Sequence, residues 1–426
     1  MRLPTLIGFL FHASALLAQK PFVAGRDYNL DESKVPAYTL PDPLLMRDGK
    51  IVRSKEQWNS IQRPYLYHLF EENVYGRLPS RALHPWYKLM SIDSSALSGM
   101  AIRKQVRVCF SRTDSSIYMD ILLYLPQEKD GSVPVFAGLN FYGNQTVSSE
   151  PGIRITSRWA MEGEGIVNGR ATEASRGAQA GQWDILAILK AGYGLATVYD
   201  GDMEPDHADG WKTGIRTSLK DSLQIQPAEW CAMGAWAWGL SRLMDYLEQD
   251  PAINAKKVAL MGHSRLGKAA LWAAASDPRF ALVISNESGE GGAALSKRDF
   301  GETILIINTY FPHWFVAKYK DYNGKAAALP LDQHMLLSLI APRPLYVASA
   351  AGDQWSDPRG EFLSAWHAGE VYRLFNENGL GTDSMPGINQ PVGDFVRYHI
   401  RDGKHDVTHY DWKQYIEFAE RHFNSK

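Results

Sequence analysis

The chain has 426 residues, 45% of them hydrophobic, and a formal net charge of −2. That length can bury a large core and allows one elaborated α/β domain or two smaller ones, of which one domain is the expectation. Near-neutrality, with no dense run of Lys and Arg, argues against nucleic acid as a partner.

Met1-Arg2, an apolar stretch from Leu3 to Leu17 and then Ala18 predict a secretory signal peptide over 1–18. The protein is therefore expected to be secreted or periplasmic. The stretch carries Pro4 and His12 and is short for a membrane span, so no stable membrane association is expected. Residues 19–426 read as a single catalytic domain, and a monomer is the expectation. Tyr28 to Arg53, rich in Pro, Asp and Leu, looks like an extended arm, and Trp58 to Tyr75 has apolar residues near helical spacing. Gln105–Phe110 and Tyr118–Leu125 alternate as strands around a polar turn, predicting an antiparallel hairpin. Val133–Leu139 follows as a buried strand. Residues 151–181 are polar and read as a long insertion, a kind of loop that is usually functional or mobile. Cys109 and Cys231 lie in strand-like and helix-like runs; two separately buried thiols are expected, with no metal.

Trp183–Ala191 reads as a helix and Gly194–Tyr199 as a strand. The acids of Asp202-Glu204-Asp206-His207 alternate in a Pro-containing loop and read as solvated rather than metal-binding. Trp236, Leu240, Leu243 and Leu247 give the next helix its apolar stripe. Val258–Met261 is then a short apolar run, as a strand covered on both faces requires, and it stops at Gly262-His263-Ser264-Arg265. Strong helix formers follow from Ala269 to Ala275. A sharp strand-to-helix turn there would lift the Ser264 hydroxyl out of the sheet and aim the first helical N–H groups at a bound carbonyl oxygen. The usual Gly-x-Ser-x-Gly pattern is displaced, with Leu266 at the second glycine position and Gly267 one residue later. Phe280–Ser285, Leu345–Ser349 and Val396–Ile400 are further strands, and the closing helix from Tyr410 carries Trp412, Ile416, Ala419 and Phe423 on one face. The whole predicts an α/β-hydrolase fold: a mainly parallel central sheet wrapped by helices, with an antiparallel N-terminal edge.

A serine hydroxyl needs a histidine to take its proton and an acid to orient that histidine. Among the C-terminal histidines, His399 lies in a strand, His367 and His422 in helices, and His409 begins the closing helix. His405 sits in the loop after the last strand, where residues project to the active edge of such a sheet. Two carboxylates compete for the acid role: Asp353, after the strand where fold logic expects it, and Glu287, ending the strand after the Ser264 helix. Either could cap a following helix instead.

Together these residues resemble the glucuronoyl esterases, carbohydrate esterase family 15. The segments that carry the resemblance run in order: Gly138-Leu139-Asn140-Phe141-Tyr142-Gly143-Asn144, Tyr199-Asp200-Gly201-Asp202, Gly262-His263-Ser264-Arg265-Leu266-Gly267-Lys268, Asn286-Glu287-Ser288-Gly289, Leu329-Pro330-Leu331-Asp332-Gln333-His334, Ala341-Pro342-Arg343-Pro344 and Gly403-Lys404-His405-Asp406. The resemblance implies cleavage of esters between (4-O-methyl)glucuronic acid on xylan and lignin alcohols, without a cofactor. It implies Ser264 as nucleophile, His405 as base, Glu287 or Asp353 as acid, and Arg265 as oxyanion donor. It also implies Lys268, one helical turn beyond Ser264, as a donor to uronate hydroxyls, and Trp355 as a sugar-contacting ring. His313-Trp314-Phe315 falls where the family commonly has Gln-Trp-Phe, which leaves the polar contact at His313 open; Asp332 reads as structural. An acetyl xylan esterase or general carboxylesterase is the enzymatic alternative. A carbohydrate-binding pseudo-esterase is the other, disfavoured by the intact Ser264, His405 and both acids.

Overall fold

The computed structural model describes residues 28–128 and 130–424. The signal peptide expected over 1–18 lies outside the described residues. Twelve strands appear among them: β1 (Trp86–Ser95), β2 (Ala101–Cys109), β3 (Tyr118–Pro126), β4 (Val133–Asn140), β5 (Ile166–Val167), β6 (Arg170–Ala171), β7 (Gly194–Tyr199), β8 (Ile253–His263), β9 (Leu282–Asn286), β10 (Leu345–Ala350), β11 (Val392–Gly393) and β12 (Val396–Arg401). Ten of them form one sheet in the order β1-β2-β3-β7-β4-β8-β9-β10-β12-β11, while β5 and β6 pair with each other. From β7 to β12 the neighbours are parallel. β1, β2, β3 and β7 pair antiparallel, as does β11 with β12 at the far edge.

The expected mainly parallel sheet with an antiparallel N-terminal edge is therefore what forms, and it is the α/β-hydrolase arrangement. Its parallel strands β7, β9 and β10 are buried along their whole length, which is why none of them carries a charged residue. Helices Ala232–Leu247, Arg265–Ser276 and Pro358–Tyr372 pack over one core, and the closing helix His409–Asn424 covers a second with Ile185–Lys190. Residues 151–181 are not one structureless loop: they hold the β5–β6 pair and two short 3₁₀ turns. Cys109 and Cys231 are both buried and unpaired, with the Cys231 thiol donating to the Tyr75 carbonyl at 3.0 Å.

Candidate active site

Parallel register brings four strand ends to one edge. His263 pairs with Asn286, Asn286 with Ala348, and Ala350 with Arg401, so the loops leaving β8, β9, β10 and β12 emerge side by side. These loops carry Ser264, Glu287, Asp353 and His405.

Ser264 has φ 55° and ψ −133°, a conformation an L-residue holds only under constraint, at a cost of about 1–3 kcal/mol. Its N–H donates to the Asn286 carbonyl at 2.9 Å, which pins the turn to β9. Two glycines make room for the elbow. A Cβ on Gly262 would lie 2.2 Å from the Leu266 carbonyl and 2.8 Å from Gly267 Cα, and one on Gly267 would lie 2.9 Å from Ser288 Cβ. The tight approach therefore falls on Gly267, while the Leu266 side chain is free to point into the core, where it is buried. This is the physical reason for the displaced glycine of the motif. Ser264 is half-buried, and Arg265 begins the helix whose first N–H groups have no partner within it.

The sequence left two acids in competition; both face His405. His405 Nδ1 lies 2.7 Å from Asp353 Oδ2 and 3.1 Å from Glu287 Oε2. Glu287 turns back beneath the ring through a left-handed backbone, φ 47°, held by its N–H on the Ala348 carbonyl at 2.7 Å. Partial loss of solvent works against a charge on His405, whose side chain stays 40% exposed, but the hydrogen bonds to Asp353 and Glu287 outweigh it and lift the imidazole to about 10. Burial likewise raises Glu287, to about 7, against the pull of His405 and Arg401. For Asp353 the opposition of burial is overcome by the His405 hydrogen bond, and the carboxyl ends below its ordinary value. The dominant charged pair is thus His405 with Asp353. Among the described residues this is the one group of three potential ligand side chains whose donor atoms all lie within 4.8 Å of one another. Glu287 is already engaged by a guanidinium there, so the grouping holds a proton between imidazole and acids.

That guanidinium belongs to Arg401, a residue the sequence did not single out. Its Nη2 donates to Glu287 Oε1 at 2.6 Å and to the carbonyls of Lys404 and Asp406, and its Nε donates to Asp411 Oδ2 at 2.8 Å. Buried at the end of β12, it folds the His405 loop around itself and neutralises two buried carboxylates. Arg401→Ala is expected to cost about 3–5 kcal/mol of stability, since both acids would be left buried without their cation. Equilibrium unfolding in urea measures it; a loss below 1 kcal/mol would show that the acids find other partners.

A second histidine shares the site. His263 Nδ1 lies 2.6 Å from Asn286 Oδ1, and its ring packs on His405 at 4.5 Å between centroids. Burial, then the nearby His405, lowers it to about 3, so it presents a neutral face to the charged ring.

Beside the elbow, Lys268 is buried, its Nζ donating to the Ser288 carbonyl at 2.6 Å and lying 3.4 Å from Glu302 Oε2. Glu302 also escaped the sequence reading, because only folding sets it against Lys268. Its N–H donates to the Trp355 carbonyl at 2.9 Å, placing the half-buried Trp355 in the same patch. The N-terminal arm closes over that patch. Tyr28 meets the Trp355 ring edge-on at 5.3 Å, the Asn29 carbonyl accepts from Gly301 N–H, and Glu32 pairs with Arg298.

The acids read as solvated are not. Glu204 takes two 2.6 Å hydrogen bonds from Arg216, and Asp202 accepts from the Asp120 N–H. Asp206 accepts from His313 Nε2, 2.8 Å, and Trp314 Nε1, 2.6 Å, and pairs with Arg265 Nε at 2.9 Å. Local alternation suggested a wet loop, but the cations and donors that bury these carboxylates come from elsewhere in the chain. Asp332 is structural as expected, accepting from the N–H groups of Ser296, Lys297 and Gln333.

A family model described as fungal glucuronyl esterase matches residues 223–376. Over 404 residues the chain is 48% identical to carbohydrate esterase MZ0003 from an unknown prokaryotic organism, covering 93% of this chain and 92% of that one. A solved glucuronoyl esterase from Solibacter usitatus matches with a TM-score of 0.86 at 49% identity, covering 92% of this chain and 100% of the other. The chain belongs to the glucuronoyl esterases, carbohydrate esterase family 15. This glucuronoyl esterase is also 30% identical over 391 residues to 4-O-methyl-glucuronoyl methylesterase 1 of Wolfiporia cocos, covering 87% of this chain and 79% of that one. It is a carboxylic ester hydrolase with the α/β-hydrolase fold.

Proposed function

We propose that this glucuronoyl esterase uses Ser264 to attack the ester carbonyl linking (4-O-methyl)glucuronic acid of glucuronoxylan to an alcohol of lignin. His405 takes the hydroxyl proton as Oγ bonds to the carbonyl carbon. Asp353 and Glu287 stabilise the imidazolium that forms, and His405 then returns the proton to the departing alcohol. Arg265 receives the developing oxyanion through its backbone N–H and its side chain. Water, activated by the same histidine, hydrolyses the acyl-enzyme. Residues 19–426 act as one secreted or periplasmic catalytic domain behind a leader over 1–18.

The observation that carries the uronoyl substrate is the Lys268–Glu302 pair with Trp355, one helical turn from the nucleophile. A buried donor and acceptor beside an aromatic ring suit the hydroxyls and face of a sugar on the acyl side. An acetyl group would use none of them. His313, through its unpartnered ring nitrogen, is the further polar contact of this subsite. Lys268→Ala is expected to lower kcat/KM on methyl glucuronate about tenfold to a hundredfold, the worth of a hydrogen bond to a charged group. Hydrolysis of a small acetate ester by the same folded variant should fall less than about threefold, within the scatter of a contact that substrate does not make. Equal losses on both substrates would leave Lys268 a structural residue and favour a general carboxylesterase.

A further inference from the structure

We propose that Asp206 is a positioning residue for this reaction, orienting the Arg265 side chain so that its terminal amino groups stay free for the oxyanion that forms beside Ser264. The inference rests on reading Arg265 as the oxyanion donor. Three chain segments meet at Asp206: its own loop after β7, Arg265 at the head of the elbow helix, and His313-Trp314. The side chains of Asp206 and Arg265 are 6% and 13% exposed, so their ion pair is shielded from solvent. Asp206 Oδ2 lies 2.9 Å from Nε of the guanidinium as an ion pair, without an aligned hydrogen bond, while its Oδ1 is fixed by His313 and by the Trp314 indole. Burial opposes the charge on Asp206, but Arg265, then His313 and Trp314, hold the carboxyl below its ordinary value.

What remains of the guanidinium is unspent. Its Nη2 meets the Met161 thioether at 3.0 Å, a weak acceptor, and its plane lies over the Phe141 ring at 4.9 Å and the Trp314 ring at 5.6 Å. The side chain is thus held by the Asp206 charge beside Nε and by the rings along its faces, with Nη2 opposite a weak acceptor that an oxyanion outcompetes. Donors fixed in advance, needing no reorganisation as charge develops, are what lowers such a barrier. Asp206 also holds His313 at Nε2, and the other ring nitrogen, Nδ1, is buried with no partner among the described residues of the protein.

The test is a double-mutant cycle on methyl glucuronate, with kcat and KM measured separately and folding checked by circular dichroism and Tm. Arg265→Ala is expected to lower kcat about 10²–10³-fold, the cost of one oxyanion donor. Asp206→Ala should lower kcat about 10–100-fold with KM within about threefold, and in the Arg265→Ala background it should cost less than about twofold, because its effect passes through that arginine. Asp206→Asn, which keeps shape and one acceptor but not the charge, should fall between wild type and Asp206→Ala; if the alanine variant does not fold, it carries the same cycle. Wild-type kcat in either folded Asp206 variant, or losses that multiply in the double variant, would overturn the proposal while leaving Arg265 in its role. Wild-type kcat in Arg265→Ala would overturn both.

Discussion

Ser264→Ala is expected to lower kcat by about 10⁴–10⁶-fold while leaving the fold intact. The two halves of this result have separate physical grounds. Catalysis falls because no other hydroxyl can take the place of Oγ at the head of the elbow helix, and water must then attack without covalent assistance. Stability holds because the Ser264 side chain does not cap that helix, so alanine forfeits no helix-end hydrogen bond. The strained backbone is equally strained with either residue. Thermal unfolding together with hydrolysis of methyl glucuronate checks both halves; a folded variant with near-native turnover would refute acyl-enzyme chemistry at this residue.

The second large effect concerns the paired acids. Glu287→Ala and Asp353→Ala are each expected to retain part of the activity, about 1–10% of wild-type kcat/KM, and the double variant to lose about 10⁴-fold, as when a triad histidine loses its orientation and charge partner. Asp353 is closer to Nδ1, at 2.7 Å against 3.1 Å, but Glu287 is tied to Arg401 and so is the more rigid of the two. If one single variant equals the double and the other equals wild type, the shared arrangement fails. The pH profile gives an independent reading. His405 must be neutral to accept the serine proton, and its partners lift it to about 10. Removing either carboxylate weakens the hold on the imidazolium, so the limb of kcat/KM that rises with pH should move to lower pH in both single variants. A shift to higher pH would contradict the charge assignment. The same sign governs stability. The contribution of this raised histidine is complete below its unfolded value, about 6.5, and is lost as the pH climbs through about 10.

The chemistry of the site was legible where local sequence dictates it. The run from Val258 through Ser264 to Lys268 encodes strand, turn and helix within a few residues, and placing His405 after the last strand needed only the order of the elements. What escaped depends on partners far along the chain. Arg401 reads as an ordinary residue just past the last strand until β12 lies beside β10 and its guanidinium meets Glu287, 114 positions away. Glu302 gains meaning only against Lys268. Asp206 was misread for the same reason: an acid in a Pro-containing loop is usually wet, and nothing nearby announces that Arg265, His313 and Trp314 will enclose it. Strand β1 was missed on other grounds. It is an edge strand with Trp86, Leu89 and Ile92 exposed, so its apolar residues do not follow the alternation that a half-buried strand shows.

Two carboxylates from neighbouring parallel strands reach the same imidazole nitrogen, and this has a consequence for descent. An enzyme that lost its acid at one strand end before gaining one at the other would pass through an ancestor whose histidine has none. Here the two-acid arrangement offers a passage that avoids it. Either strand end can supply the acid while the other is rewritten, so related enzymes can come to hold it after β9 or after β10 without an inactive generation between them.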